Sequence, residues 1–190
     1  MSDLVEGEDG RARCSWGASP AIYIEYHDAE WGKPVDDEQT LFEKVCLEGF
    51  QSGLSWLTIL RKRPAFREVF HDFEPEIVAS MSAVDVERLL QDARIIRHRG
   101  KIEATIRNAG ALLHLHSQGT TLRELFWSFA PATPTVPVSM ADVPAKTPDS
   151  VALSKSLKGA GFSFVGPTTC YAAMQAMGVV NDHLLGCHAR

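Results

Sequence analysis

Apolar residues return at helical spacing along most of this chain, and that regularity excludes most folds. Leu41, Phe42, Val45 and Cys46 follow Asp37, and Ile102, Ile106, Ala109 and Leu113 make a second stripe that ends near Gly119. Such intervals put side chains on one face of a 3.6-residue helix rather than on one side of a strand. Start signals agree. Pro20 follows Ser19, Pro64 and Pro75 stand where a first helical turn can begin, and Ser82 with Asp85 resembles a capping box ahead of Val86, Leu89 and Leu90. Further helices are expected over 121–129, 150–158 and 167–177. No alternating strand pattern appears, so the expected class is all-α.

The proline-rich stretch PATPTVPVSMADVPAKTPDS, residues 131–150, is expected to be an extended surface loop. With 190 residues, 45% of them hydrophobic, the chain can bury one substantial core or two small lobes sharing an interface. We expect a single unit over 13–188, built from two interleaved helical lobes, behind a disordered segment 1–12. The acidic start MSDLVEGEDG lacks the basic and apolar regions of a signal peptide, and no apolar run is long enough to span a bilayer. A cytoplasmic location without membrane contact is expected, with Cys14, Cys46, Cys170 and Cys187 reduced. A net charge of -5 argues against indiscriminate coating of nucleic acid but leaves room for a local basic patch.

Cys14 and His27 lie near the start, His183 and Cys187 near the end, the last two spaced to share a helix face. Together they make a Cys2His2 set suited to tetrahedral zinc with no position left for water, which is a structural rather than a catalytic arrangement. The spacing is not that of a standard finger, and an exposed thiol with surface histidines is the competing account. Cys46 and Cys170 fall within apolar helical patterns and read as core. His71, His114, His116 and His188 show no partner pattern.

Between the first two of these residues, Tyr23, Tyr26 and His27 share one helical face if Pro20 opens a helix, with Trp16 and Trp31 flanking. Plain core is the alternative for any single ring. Glu48 stands on the apolar face of LFEKVCLEG, where a carboxylate needs a partner. It is either half of an ion pair or cap, or a buried acceptor lining a pocket. Trp56 follows after a break at Gly53 and Ser55, and a tryptophan face with an isolated carboxylate suits a flat cation. Residues 85–110 read as helix, break, helix, with Arg94, Arg97, His98, Arg99 and Lys101 at the break and second helix start. Cations there oppose the helix dipole, so a phosphate grip competes with a merely solvated face.

The segments CSW, YHDAEWG, LFEKVCLEGFQSGLSW, IIRHRGKI, GFSFVG and NDHLLGC, in this order between residues 14 and 187, resemble the DNA-3-methyladenine glycosylase I family, a branch of the helix-hairpin-helix DNA glycosylases. The resemblance implies an all-α enzyme of base-excision repair that flips 3-methyladenine out of alkylated double-stranded DNA and hydrolyses its glycosidic bond; a monomer suits that task and is expected. It implies that Cys14, His27, His183 and Cys187 hold one structural Zn2+. It also implies that Glu48 and Tyr26 hydrogen-bond to the base, that Trp56 stacks on it, and that Tyr23 and Trp16 complete the lining. Residues 92–101 match the phosphate clamp, with one departure. Arg94 occupies a turn position where the family usually has glycine, so a different turn shape, or a phosphate contact from Arg94 itself, is expected. The superfamily's usual aspartate is lacking at its expected position, which implies monofunctional hydrolysis without a lysine Schiff base and Glu48 as a recognition residue first. A DNA-damage binding module without activity is the main rival. A zinc hydrolase is a weaker one, because four protein ligands leave no open position.

Overall fold

A computed structural model describes residues 3–190, and these are mostly helical. In chain order the elements are strands β1 (Leu4–Glu6) and β2 (Ala12–Cys14), then helices α1 (Ala21–Ala29), α2 (Glu38–Gln51), α3 (Trp56–Val69), α4 (Pro75–Ala79), α5 (Ala83–Gln91), α6 (Arg99–Ser117), α7 (Leu122–Trp127), α8 (Pro148–Gly159) and α9 (Pro167–Ala176). The starts have local causes. The side chains of Asp37 and Ser55 accept the amides of Thr40 and Thr58, Ser82 and Asp85 form the expected capping box, and Pro75, Pro148 and Pro167 open their helices. No helix among the described residues is long and apolar enough to cross a membrane.

Helix α2 is the axis of the molecule. Every residue from Leu41 to Phe50 is buried, because α3, α6, α7 and α9 all pack on it. Phe50, Phe66, Phe70 and Phe73 stack in succession beside it. A helix buried all round carries its charged residues inward too. Glu43, Lys44 and Glu48 are therefore interior groups, each in need of a partner.

Two expectations are corrected. Residues 4–6 and 12–14 form an antiparallel ribbon rather than a disordered lead-in, with Leu4 opposite Cys14. The acidic composition concealed the cause: Asp9 does not repel its surroundings but binds the nearly buried guanidinium of Arg13, while Leu4 packs beside Leu184 and Cys187. The rest of that expectation, residues 1–2, lies outside the described residues. Pro64, expected to open a helix, sits inside α3, which begins at Trp56. Its missing N–H forfeits one bond to the preceding turn, and burial of Ile59, Leu60, Phe66 and Val69 on either side carries the helix through.

Candidate functional site

Helices α1, α2, α3 and α9 surround a cavity of about 250 Å³ lined by Trp16, Tyr23, Tyr26, Trp31, Glu48 and Trp56, with Gln51, Met140, Val143, Ala172 and Gln175 closing it. The rings brace each other: Trp16 meets Tyr23 edge-on at 5.7 Å and Trp31 at 4.9 Å, and Tyr26 lies 5.4 Å from Trp56. Glu48 is 5% exposed. Two buried polar atoms of these residues, Glu48 Oε2 and Trp56 Nε1, have no hydrogen-bond partner among the described residues. Burial pushes the Glu48 carboxyl up to about 8, against the weaker pull of Lys44, and burial, with Glu48 beside it, also raises the Tyr26 phenol. Of the two accounts of Glu48, the buried acceptor lining a pocket is the one the geometry favours. An unsatisfied carboxyl and an unsatisfied indole N–H at one cavity cost stability and are tolerated where a ligand completes them.

A second cluster lies behind α1. Cys14, His27, His183 and Cys187, all buried, bring their ligand atoms within 4.8 Å of one another and could hold a metal ion. The ring nitrogens show how. His183 Nε2 lies 2.9 Å from the Trp31 carbonyl and His27 Nδ1 2.7 Å from the Asp28 carboxylate. Both partners only accept, so these nitrogens carry the protons and the lone pairs sit on His183 Nδ1 and His27 Nε2. Those two atoms face each other at 3.2 Å, with Cys187 Sγ 3.5 Å from each and Cys14 Sγ 4.0 Å from His183 Nδ1. Opposed lone pairs repel unless a cation lies between them. Tetrahedral zinc, with ligands at about 2.1 Å for nitrogen and 2.3 Å for sulfur, would put N···N at ~3.4 Å and S···N at ~3.6 Å, within a few tenths of an ångström of the edges at His183, His27 and Cys187 and shorter than the 4.0 Å edge to Cys14. Burial pushes the Cys14 thiol up to about 12 and His183 down to about 4.

The surroundings are as ordered as the ligands. Asp28, which orients His27, also receives the Arg13 guanidinium and His188 Nε2 at 2.9 Å. His188, unremarkable in the sequence, is thus part of the support. Gly17 lies against the His27 ring: a Cβ there would come within 2.4 Å of Cδ2, so no larger residue fits without moving a ligand.

The basic edge is less uniform than its sequence suggests. Arg94 does not take a left-handed conformation, which among described non-glycine residues is confined to His71, Asp72, Phe73 and Phe164. The turn is closed instead by Asp92, whose carboxylate accepts the Arg94 amide at 2.9 Å, and Lys62 binds the Ala93 and Arg94 carbonyls. The Arg94 guanidinium is held by Asp92 and Glu68, and that of Arg99 by Glu87. His98 caps α6 through Nδ1, and Arg97 is exposed without an ion pair among the described residues. Lys101 leaves the set altogether. It is 7% exposed, and its amine binds the carbonyls of Phe50 and Ser52 at 2.8 and 2.6 Å, closing the end of α2. Lys101→Met is therefore expected to lower unfolding stability by about 1–3 kcal/mol, read by urea titration, because two helix-end carbonyls lose their donor. Unchanged stability with weaker DNA binding would return Lys101 to the surface role.

A helical body wrapped around a ring-walled slot with a buried carboxyl is the framework of a protein that draws a flat, hydrogen-bonding ligand out of water. The chain belongs to the methyladenine glycosylase family, whose model matches residues 16–190; glycosylases are hydrolases. A DNA-3-methyladenine glycosylase of Haemophilus influenzae is 51% identical over 178 residues, covering 92% of this chain and 96% of that protein. DNA-3-methyladenine glycosylase 1 of Escherichia coli is 52% identical over 177 residues, covering 92% and 95%. A solved variant of 3-methyladenine DNA glycosylase I in complex with 3-methyladenine superposes with a TM-score of 0.88 at 36% identity, covering 93% of this chain and 96% of that one.

Among the lining residues, Gln51, Met140, Val143, Ala172 and Gln175 escaped the sequence reading. Met140 and Val143 come from the stretch expected to be only a surface loop, and they reach the cavity through a short turn at Met140–Asp142. Nothing in the local pattern of either residue signals that reach.

Proposed function

We propose that this protein is a monofunctional glycosylase that removes 3-methyladenine from alkylated double-stranded DNA, with a helix-hairpin-helix edge gripping the backbone. The observation that carries the reading is that Glu48 and Trp56, whose Oε2 and Nε1 are buried without a hydrogen-bond partner among the described residues, line one cavity of about 250 Å³. A base stacked in a duplex is out of reach of such a slot, so the nucleotide must rotate out before the base enters. Methylation at N3 makes the base cationic. The Trp56 face then contributes a cation–π attraction of about 1–2 kcal/mol, and Glu48 releases its proton to solvent as the base enters and pairs with the cation as a carboxylate.

The chemistry left to the protein is modest. Water oxygen bonds to the sugar C1′, the glycosidic bond breaks, its electron pair cancels the charge on the departing base, and the water proton passes to solvent. Among the described residues no lysine lines the cavity, and the amine of Lys101 is already bound, which supports hydrolysis over Schiff-base chemistry. Phosphates are assigned to Arg97, with Arg94, His98 and Arg99 beside it. Cys14, His27, His183 and Cys187 are assigned one zinc ion, which supplies no chemistry to the reaction and joins the two ends of the chain.

The test is release of free bases from methylated duplex DNA, resolved by chromatography. The wild type is expected to release 3-methyladenine and to retain 7-methylguanine, and Trp56→Ala to slow release by roughly 10-fold or more, in line with the lost stacking. Folded, metal-loaded protein that bound the DNA and released nothing would make it a damage-binding module instead.

A further inference from the structure

The cavity wall contributed by α9 holds a polar group that the mechanism above does not use. Gln175 lines the cavity, and its side-chain nitrogen donates to Asp182 Oδ2 at 2.8 Å. Asp182 is 4% exposed, and the same oxygen accepts the hydroxyl of Tyr171 at 2.6 Å. A carboxylate offers only acceptors, so the amide can face it only with its NH2 end. The usual ambiguity between the two ends of a glutamine is thus removed by chemistry. No hydrogen bond among the described residues uses Gln175 Oε1. Asp182 belongs to the loop beyond α9 and lines a separate hollow that Gln175 does not touch. Fixing the nitrogen toward that loop leaves the oxygen for the base cavity.

We propose that Gln175 is a specificity-determining residue, oriented by Asp182 so that Oε1 accepts a hydrogen bond from the exocyclic amino group of an adenine-type base. The inference rests on the glycosylase reading and extends it to substrate choice. Adenine-type bases carry an amino group at C6 and present two donors there. Guanine- and hypoxanthine-type bases carry an oxygen, which would face Oε1 as acceptor against acceptor. A site built to hydrogen-bond one substituent rejects its mismatched analogue far more strongly than an apolar wall does. Asp182 acts through Gln175 and is a positioning residue; it stands next to His183, so the segment that closes the metal cluster also sets the polarity of the cavity wall.

The experiment measures binding of free 3-methyladenine and free 3-methylhypoxanthine, by quenching of tryptophan fluorescence, to the metal-loaded wild type, Gln175→Leu and Asp182→Asn. The wild type is expected to prefer 3-methyladenine by about 10-fold or more. Gln175→Leu should reduce that preference to within roughly 3-fold, mainly by weakening 3-methyladenine. In Asp182→Asn the amide at 182 can donate to Oε1, which lets Gln175 turn its NH2 toward the cavity, and the preference should fall or invert. A ratio measured on one protein does not depend on how much of it is folded, so a merely structural role for Gln175 would leave it unchanged. Undiminished preference in Gln175→Leu overturns the proposal. If the wild type binds both bases equally while still releasing 3-methyladenine from DNA, this inference fails and the glycosylase reading stands; if the wild type neither binds nor releases 3-methyladenine, the glycosylase reading fails first.

Discussion

Replacing His183 by alanine is expected to lower the melting temperature by at least about 10 °C and to release the bound metal, with the loss of helical signal and of activity following one temperature curve. The size follows from what the residue touches. His183 is fully buried, lies 3.2 Å from His27 and 3.5 Å from Cys187, and is held by the Trp31 carbonyl. Its removal opens a closed four-ligand site and strands two thiols and an imidazole in the interior. Elemental analysis of the wild type should return one zinc per chain, and unfolding in a chelator should give a protein that refolds only when zinc is restored. A catalytic metal would behave otherwise, with activity lost and the fold retained. Metal-free protein that melts as the wild type does would remove the structural zinc from the account.

Glu48→Gln is expected to separate stability from activity. The folded carboxyl titrates near 8 because burial disfavours its charge, whereas in the unfolded chain it titrates near the ordinary 4.5. Below the lower value both states hold the proton, and the group contributes no pH dependence. Between the two values only the folded state keeps it, so stability falls as pH rises through this window and the full cost is present above about 8. The glutamine variant should therefore melt higher than the wild type at pH 8.5 and alike at pH 4. Excision of 3-methyladenine should fall by roughly 10- to 100-fold, the worth of a hydrogen bond to a charged group. If free-base affinity falls by the same factor, Glu48 is a recognition residue. If excision falls and affinity holds, Glu48 serves the attacking water instead. Unchanged excision together with unchanged affinity would take it out of the site.

Helix positions were legible because they depend on near neighbours. The capping pair at Ser82 and Asp85 and the apolar stripe on α2 act within a turn or two and appear where the intervals put them, while on α6 Ile102 and Ala109 are buried and Ile106 and Leu113 only partly so. What failed depends on distant partners. Pro64 looks like a start signal until the packing on both sides of it is known, and the acidic lead-in looks disordered until Arg13 and Leu184 are placed beside it. Lys101 shows the limit most clearly. A lysine in a basic run at a helix start reads as a surface cation, and only the arrival of the α2 carbonyls makes it an interior cap. For the site, Cys14, His27, His183 and Cys187 stood out by residue type, and their convergence needed the fold. Gln175 carried no signal at all, because its meaning lies in the carboxylate of Asp182 seven positions on.

The cluster at Cys14 and His183 joins positions 169 residues apart in the chain. Mechanically, that closes the segment between them into a hoop. With the proposed zinc in place, tension applied across the hoop would load its coordination bonds before it reached any helix between them. An enzyme of this build, dragged along a polymer or threaded by its terminus into a degradation machine, would yield abruptly at one joint rather than peel helix by helix.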